Sequence, residues 1–238
     1  TNCWSEPPLN LFSIRSPTYL EDKKKEPSAP YLLSARGADV FLVEKEDTHL
    51  DLNRILGGQL RKKPTIAIFF QFPWGYMNLF FQVPNKIARY MSKSPPDNVE
   101  SDKDLTIQER TLAKWILGDD DYKNQRLKLI PYVAAGPWVA RQMVTGRPTL
   151  IGTKLPVRYE THYDGAHHYQ APLLIGTLNV GGGSAASKRI VSVCRRYMSV
   201  LTVDLGWVIQ ADDPDELPEQ MMGGIRIHGP DPLKASIL

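Results

Sequence analysis

The chain has 238 residues, is 42% hydrophobic and 23% charged, and carries a formal net charge of +3. This length can bury a sizeable core, and the composition is ordinary for a soluble globular protein. The small net charge does not create the strong field that predicts a nucleic-acid partner. The two cysteines, Cys3 and Cys194, lie at opposite ends and fit neither a disulfide framework nor a zinc site, which favours a reducing compartment.

The N-terminal part of the chain predicts few regular elements. Residues 1–30 are rich in proline, serine and lysine, so we expect an extended surface segment with one short strand at Leu11–Arg15. A second strand is predicted at Ala38–Val43. The segment His49–Leu56 is expected to form a short helix that ends at Gly57 and Gly58.

An apolar segment at Ile66–Val83 carries no charged residue and has nearly the length of a membrane-spanning helix. Three polar residues interrupt it, and Pro73-Trp74-Gly75 breaks it at the centre. Because proline removes a backbone donor and the Pro-Gly neighbourhood is typical of a turn, the segment predicts a buried β-hairpin rather than a transmembrane helix.

The middle of the chain predicts two helices separated by a loop. The first is expected at Pro84–Met91, with proline at its first position, and residues 92–101 form the loop. Thr106 and Glu109 have the spacing of a capping box, so a second helix is expected to begin there and to end near Gly118.

The remaining strands do not alternate regularly with helices. They are predicted at Arg126–Val133, Thr149–Glu160, Tyr169–Val180, Leu201–Gln210 and Gly224–His228, with a short helix from Pro214 through Met222. This order favours an α+β fold, in which an antiparallel or mixed β-sheet or sandwich packs with several helices.

A long amphipathic helix is predicted near residues 184–200, after the turn Gly181-Gly182-Gly183. Ser184 is a suitable N-cap, and an apolar stripe follows at helical spacing: Ile190, Val193, Cys194, Tyr197, Met198 and Leu201. The opposite face carries Lys188, Arg189, Ser192, Arg195, Arg196 and Ser199. The glycine turn is expected to be structural, or else to present the helix N-terminus to an anion.

The sequence contains no recognisable catalytic or metal-binding motif. A Walker loop, a GxGxxG turn and a GxSxG elbow are all missing, and Cys194 is expected in the core rather than as a nucleophile. The cluster of His162, Asp164, His167 and His168 has no defined zinc spacing and is expected to be a surface loop. We therefore expect no enzyme activity, no catalytic residue, no metal and no cofactor.

The turn of the apolar hairpin is rich in aromatic residues. Phe72, Trp74, Tyr76 and Met77 are expected to pack in the core, or else to contact a membrane interface or a protein partner, because tryptophan and tyrosine combine an apolar body with a polar edge.

Seven runs that follow one another in order resemble the EDR2 C-terminal domain family. They are Cys3–Pro7 (CWSEP), Phe12–Lys25 (FSIRSPTYLEDKKK), Arg126–Pro131 (RLKLIP), Gly136–Val139 (GPWV), Gly146–Leu155 (GRPTLIGTKL), Leu201–Leu205 (LTVDL) and Asp215–Glu219 (DELPE). The ordered set extends to about His228, so residues 1–238 are expected to form a single domain of this type. The resemblance implies a role close to membranes, since in plants such domains commonly follow phosphoinositide-binding PH and lipid-binding START domains. It implies no catalytic residue.

The sequence thus predicts a non-catalytic lipid- or membrane-associated binding module. The expected partner is an anionic lipid or membrane surface, with no nucleic acid, and the expected place is cytoplasmic or organellar, peripheral to a membrane, with no targeting segment visible. The expected anion-binding residues are Ser184, Lys188, Arg189, Arg195 and Arg196, with Lys154 and Arg158 as contributors from a strand. The alternative is a structural subunit of a larger assembly, which would contact protein partners through the basic helix face and the aromatic hairpin.

Overall fold

A computed structural model describes residues 3–44, 51–144, 146–163, 170–231 and 234–237. Its strands, numbered in chain order, are β1 (Trp4–Ser5), β2 (Ser13–Arg15), β3 (Lys25–Pro27), β4 (Ser34–Leu42), β5 (Thr65–Phe72), β6 (Gly75–Gln82), β7 (Leu127–Ala135), β8 (Thr149–Leu150), β9 (Val157–His162), β10 (Leu173–Asn179), β11 (Thr202–Ile209), β12 (Met221–His228) and β13 (Ser236–Ile237). Its α-helices are α1 (Tyr19–Asp22), α2 (Leu52–Ile55), α3 (Asn85–Ala88), α4 (Ile107–Leu117), α5 (Asp120–Arg126), α6 (Trp138–Met143) and α7 (Ala185–Tyr197). Short 3₁₀ turns occur at Gly58–Lys62, Arg89–Met91, Ile151–Thr153, Met198–Val200 and Pro214–Glu216.

Two large β-sheets form the frame of the fold. The five-stranded sheet has the order β1-β12-β11-β7-β8, and all its neighbours are antiparallel. The six-stranded sheet has the order β13-β4-β6-β5-β10-β9, in which β13 with β4 and β5 with β10 are parallel pairs. The mixed pairing and the helices confirm the predicted α+β class.

The two sheets pack face to face around a shared core. We call the residues buried between the sheets the inner cluster. On β5 the residues alternate: Ile66 and Ile68 belong to the inner cluster, while Ala67 and Phe69 belong to a second cluster on the outer face of the sheet. Helix α2 covers this second cluster. Trp207 on β11 joins the inner cluster from the five-stranded sheet. The period of two in the sequence thus places one face of each strand between the sheets.

Helix α4 enters the same core at one end of the sandwich. Its N-terminus has the predicted capping box: the N–H of Glu109 donates to Thr106 Oγ1 at 3.3 Å, and the N–H of Thr106 donates to Glu109 Oε2 at 2.9 Å. Leu112 and Trp115 are fully buried in the inner cluster. The helix therefore fills the space between the sheets at this end.

The apolar segment forms the hairpin that the sequence predicts. Strands β5 and β6 pair in register from Thr65 with Gln82 to Phe72 with Gly75. A Cβ at Gly75 would come within 2.0 Å of Phe41 O on β4, so this position requires glycine. Among the helices of the described residues, none has the length and apolarity that crossing a bilayer requires.

The structure corrects the single strand predicted at Thr149–Glu160. The segment divides into β8, a 3₁₀ turn and β9, and these strands lie in different sheets. A Cβ at Gly152 would come within 2.4 Å of Asn124, so the turn packs tightly on α5. Pro156 follows, and because it has no backbone donor the chain leaves one sheet before it enters the other.

The structure also corrects the helix predicted from Pro214 through Met222. Only Pro214–Glu216 forms a 3₁₀ turn, while Met221 and Met222 begin β12. Pro218 lacks the N–H that a continuing helix requires. Helix α6 is not among the predicted elements and begins directly after Gly136 and Pro137.

A cluster of buried charges joins α5 to the segment after β11. Glu216 is almost fully buried and accepts hydrogen bonds from Arg126 Nη1 at 2.6 Å and from the N–H of Asp212 at 3.0 Å. Lys114 Nζ lies 3.6 Å from its other oxygen. Burial pushes the pKa of Glu216 upward, but these hydrogen bonds and charges outweigh burial and hold the pKa below its ordinary value of 4.5.

We expect Glu216→Gln to destabilise the protein at neutral pH and to reduce its sensitivity to acid. A carboxylate whose folded pKa is lowered contributes stability that is fully present above its unfolded pKa and is lost as pH falls through the folded pKa. Glutamine cannot carry this charge, so we expect a loss of roughly 2 kcal/mol at neutral pH and a flatter profile below pH 4.5. Urea unfolding at a series of pH values measures both effects.

The exposed Glu21 offers the matched control, because Glu21→Gln removes the same charge from a solvated helix. A Glu216→Gln protein whose stability falls with acid as steeply as that of the unmodified protein would contradict this account.

Candidate functional site

A large cavity lies between the two sheets, away from the end that α4 fills. It has a volume of about 750 Å³ and is bounded by β5, β7, β11 and β12, by the turn of the β5–β6 hairpin, and by α6 and α7. We call it the intersheet cavity. Ligand pockets in proteins typically have volumes of about 300–1,000 Å³, so the space is large enough to hold a small molecule.

The walls of the intersheet cavity are apolar and buried. They include inward-facing residues of both sheets, namely Phe70, Phe72, Leu129, Val180, Leu205 and Ile227. Met77 lines the cavity from β6, and Met198 lines it from the turn after α7. Methionine adapts to irregular apolar shapes, which suits a wall that faces a flexible ligand.

The opening of the intersheet cavity is polar and cationic. Of the described lining residues, Gln142, Arg147, Thr149 and Arg195 have polar side chains, and Gln142 and both arginines are exposed. We call these three exposed residues the rim. The rim thus places two positive charges where the apolar interior meets the solvent.

A column of stacked side chains leads from the rim to the sheet interior. The guanidinium carbon of Arg195 lies 5.2 Å from the ring centroid of Trp74, and Trp74 stacks on Phe72 at 4.8 Å with an interplanar angle of 4°. Phe72 stacks on Phe70 at 6.2 Å, and Phe70 lies 5.8 Å from Trp207. The column anchors Arg195 to the hairpin through a cation–π contact.

Helix α6 is held against the sheet by a small apolar cluster. Its Ala140 is buried with Val133 and Leu201. Gly136, just before the helix, has φ +138°, and a Cβ there would come within 2.5 Å of Leu201 Cδ2. A glycine is therefore required at this turn, which directs α6 over the opening.

Helix α7 covers the intersheet cavity with one face. Val191 and Arg195, one turn apart, line the cavity together with Met198 and Leu201 of the predicted apolar stripe. The sequence prediction places Arg195 on the opposite, cationic face and does not include Val191 in the stripe. The predicted anion-binding residues Lys188, Arg189 and Arg196 are exposed on this helix. Of all the predicted anion-binding residues, Arg195 is the one that lines the cavity.

The other predicted anion-binding residues lie apart from the rim. Ser184 is exposed just before α7, and Lys154 is exposed after the 3₁₀ turn that follows β8. Arg158 on β9 forms an ion pair with Glu160 at 2.9 Å. None of the three lines the intersheet cavity. The side chains of Ile190 and Cys194, predicted on the apolar stripe, lie outside the described part of the structure.

The aromatic hairpin faces two directions. Phe72, Trp74 and Met77 line the intersheet cavity, whereas Tyr76 is buried in the cluster on the opposite face of the sheet. The aromatic surface expected at this turn is therefore directed mainly inward.

The described residues contain no group of histidine, cysteine, aspartate or glutamate side chains that could hold a metal ion. Of the predicted histidine loop, only His162 is described, at the end of β9, where its Nε2 lies 3.8 Å from Glu160. Asp164, His167 and His168 lie outside the described residues.

Gln142 and Arg147 are not among the site residues predicted from the sequence, although the sequence contains a signal for them. No acidic residue occurs between Asp121 and Glu160, or between Asp164 and Asp204. The first segment carries Gln142 and Arg147, and the second carries Arg195. Two long acid-free segments within a nearly neutral chain therefore indicate a locally cationic surface.

The chain is similar to known proteins over nearly its whole length. The family model described as "Protein ENHANCED DISEASE RESISTANCE 2, C-terminal" matches residues 4–231. A curated Arabidopsis thaliana protein, "Protein ENHANCED DISEASE RESISTANCE 2-like", is 25% identical over 231 residues, which cover 95% of this chain and 28% of the relative. The chain thus spans less than a third of the length of that relative. No solved structure matches this chain significantly. Because the family model covers almost every residue from the first strand to the last long one, the chain belongs to the EDR2 C-terminal domain family.

Proposed function

We propose that this protein is a non-catalytic lipid-binding module that works at a membrane surface and holds the hydrocarbon part of a lipid in the intersheet cavity. The observation that carries the proposal is an apolar cavity of about 750 Å³ whose opening is lined by exposed arginines. An apolar interior with a cationic opening is complementary to an anionic amphiphile. The apolar chain would lie inside the cavity, and the charged head would lie at the opening.

The size of the intersheet cavity favours an occupant. Because the cavity of about 750 Å³ opens to solvent at the rim, water would enter it when no ligand is bound. Water would need hydrogen-bond partners, and the walls offer few away from the rim. An apolar occupant makes the contacts that water cannot make.

Hydrocarbon gains free energy in such a site. Each methylene group transferred from water contributes about 0.8 kcal/mol, so about ten of them contribute about 8 kcal/mol before the cost of ordering the chain is subtracted. This contribution is sufficient for specific binding without any catalytic step.

The chemistry of the rim supports binding rather than catalysis. The guanidinium groups of Arg147 and Arg195 carry positive charge and offer only hydrogen-bond donors. They can attract and orient an anion, but they cannot serve as a general base.

Exposed apolar side chains on the segments that adjoin the intersheet cavity support a place at the membrane. Trp138 at the start of α6 is 72% exposed, and Val200 before β11 is 59% exposed. Trp138 follows Gly136 by two residues, and Val200 directly precedes Leu201. Gly136 and Leu201 pack against each other, and Leu201 lines the intersheet cavity. Tryptophan favours the membrane interface, so the opening would face the bilayer from which a lipid enters.

The same exposed tryptophan supports a second candidate function. Tryptophan is enriched where proteins bind one another, so Trp138 could anchor this chain in a larger assembly as a structural subunit. In that case the basic face of α7 would contact an acidic protein surface and the aromatic hairpin would serve packing alone.

We expect the double variant Val203→Phe and Leu205→Phe to abolish binding of an uncharged apolar fluorophore, N-phenyl-1-naphthylamine. Both side chains line the intersheet cavity from β11, so the larger rings occupy its volume. Because they extend into open space instead of displacing packed atoms, the variant should keep or raise its melting temperature. Fluorescence titration and thermal unfolding measure the two effects.

Leu117→Phe is the matched control, since it makes the same kind of change at an exposed site on α4. A double variant that folds and still binds the fluorophore with unchanged affinity would contradict the proposed site.

We expect Trp138→Ser to reduce flotation with vesicles that contain phosphatidylserine, because it removes the exposed ring from the membrane-facing surface. Leu9→Ser, at a residue that is 48% exposed and near β2, is the control and should float normally. Equal flotation of the Trp138→Ser variant and the unmodified protein would contradict the membrane-facing role. Loss of a native complex in the same variant would favour the structural subunit.

A further inference from the structure

The two rim arginines carry positive charge that the described structure does not neutralise. Arg147 and Arg195 are exposed and line the intersheet cavity. Over the described ranges, no acidic side chain lines the cavity, and no carboxylate lies within ion-pair distance of either arginine. The rim therefore attracts an anion from solution.

The carboxylates that are neighbours of lining residues in the sequence have their own partners. Asp204 lies between Val203 and Leu205, but its oxygens accept hydrogen bonds from Arg226 at 2.7 and 2.8 Å on the other face of β11. Asp231 follows the lining residue Pro230 and pairs with Lys234 at 3.5 Å. These carboxylates are engaged elsewhere.

The cation–π contact with Trp74 gives Arg195 a defined place. The guanidinium carbon lies over the ring at 5.2 Å from its centroid, and the guanidinium N–H groups are the donors that Arg195 offers to a ligand. A guanidinium edge matches the oxygens of a phosphate or carboxylate through two parallel hydrogen bonds. Less side-chain freedom is lost on binding because this contact already restricts the arginine.

We propose that the ligand is an acyl amphiphile with a single anionic head group, whose chain lies in the intersheet cavity and whose head lies between Arg147 and Arg195. This inference rests on the proposed lipid-binding function and adds the chemical class of the head. A charged head cannot follow the chain inward, since burying an unpaired charge is costly. It stays at the rim, where Gln142 adds an amide donor and the arginines supply charge.

A matched pair of lipids separates the two parts of this inference. 1-Oleoylglycerol and 1-oleoylglycerol 3-phosphate have the same chain and differ only in the phosphate. We expect the full chain of 238 residues to bind both in calorimetric titrations below their micelle concentrations, and to bind the phosphate form about thirtyfold more tightly, as two nearby cations allow.

The double variant Arg147→Gln and Arg195→Gln should lose this preference while it binds 1-oleoylglycerol as before. Glutamine keeps much of the length and polarity of the side chain, so folding should persist, and circular dichroism checks it. The matched control is Arg189→Gln with Arg196→Gln, which removes two charges from exposed positions of α7 outside the cavity lining. This control should keep the preference.

Each other outcome has a distinct meaning. Equal binding of both lipids, or equal loss of preference in the control variant, would overturn the head-group site and leave the cavity proposal standing. Binding of neither lipid, together with failure to bind the uncharged fluorophore, would overturn the head-group site and the proposed function. Glycerol 3-phosphate alone, if it bound as tightly as its oleoyl ester, would show a soluble-phosphate site and overturn the inference.

Discussion

The rest of the structure depends on how the space between the two sheets is filled. Facing sheets lie about 10 Å apart, and side chains from both must interdigitate to occupy that layer. At one end α4 supplies the missing volume, with Trp115 and Leu112 buried in the inner cluster. At the other end α6 and α7 cover the layer without filling it, and the intersheet cavity remains. The core therefore forms where side chains fill the layer between the sheets, and the candidate site forms where they do not.

Positive and negative charges are distributed unevenly in this chain, although its net charge is low. The acid-free segments supply α6, α7 and the rim, while buried carboxylates collect elsewhere, as Glu216 does beside Arg126. A net charge of +3 conceals this separation because it sums over the whole surface. The local field at the opening is what an approaching head group would meet, and salt would weaken it because the rim arginines are exposed.

Much of the fold could be predicted because its signals are local. The capping box at Thr106 and the proline-glycine turn at Trp74 each lie within a few residues, and both predictions are confirmed. The strand predicted at Thr149–Glu160 is wrong because its division depends on the contact of Gly152 with Asn124 on α5, which is distant in sequence. Local pattern cannot show that one apolar segment crosses from one sheet to another.

The candidate site was harder to predict for a related reason. Periodicity shows that Phe72 and Leu205 point inward, but it does not show whether they face another side chain or a cavity. A cavity is defined by atoms that are missing between segments far apart in sequence, so only the assembled sheets reveal it. Arg195 could be selected from its helix face, whereas Arg147 needed the fold to bring it to the same opening. A bound chain would complete the packing that the sequence leaves unfinished, so ligand binding and stability would be coupled at this end of the sandwich.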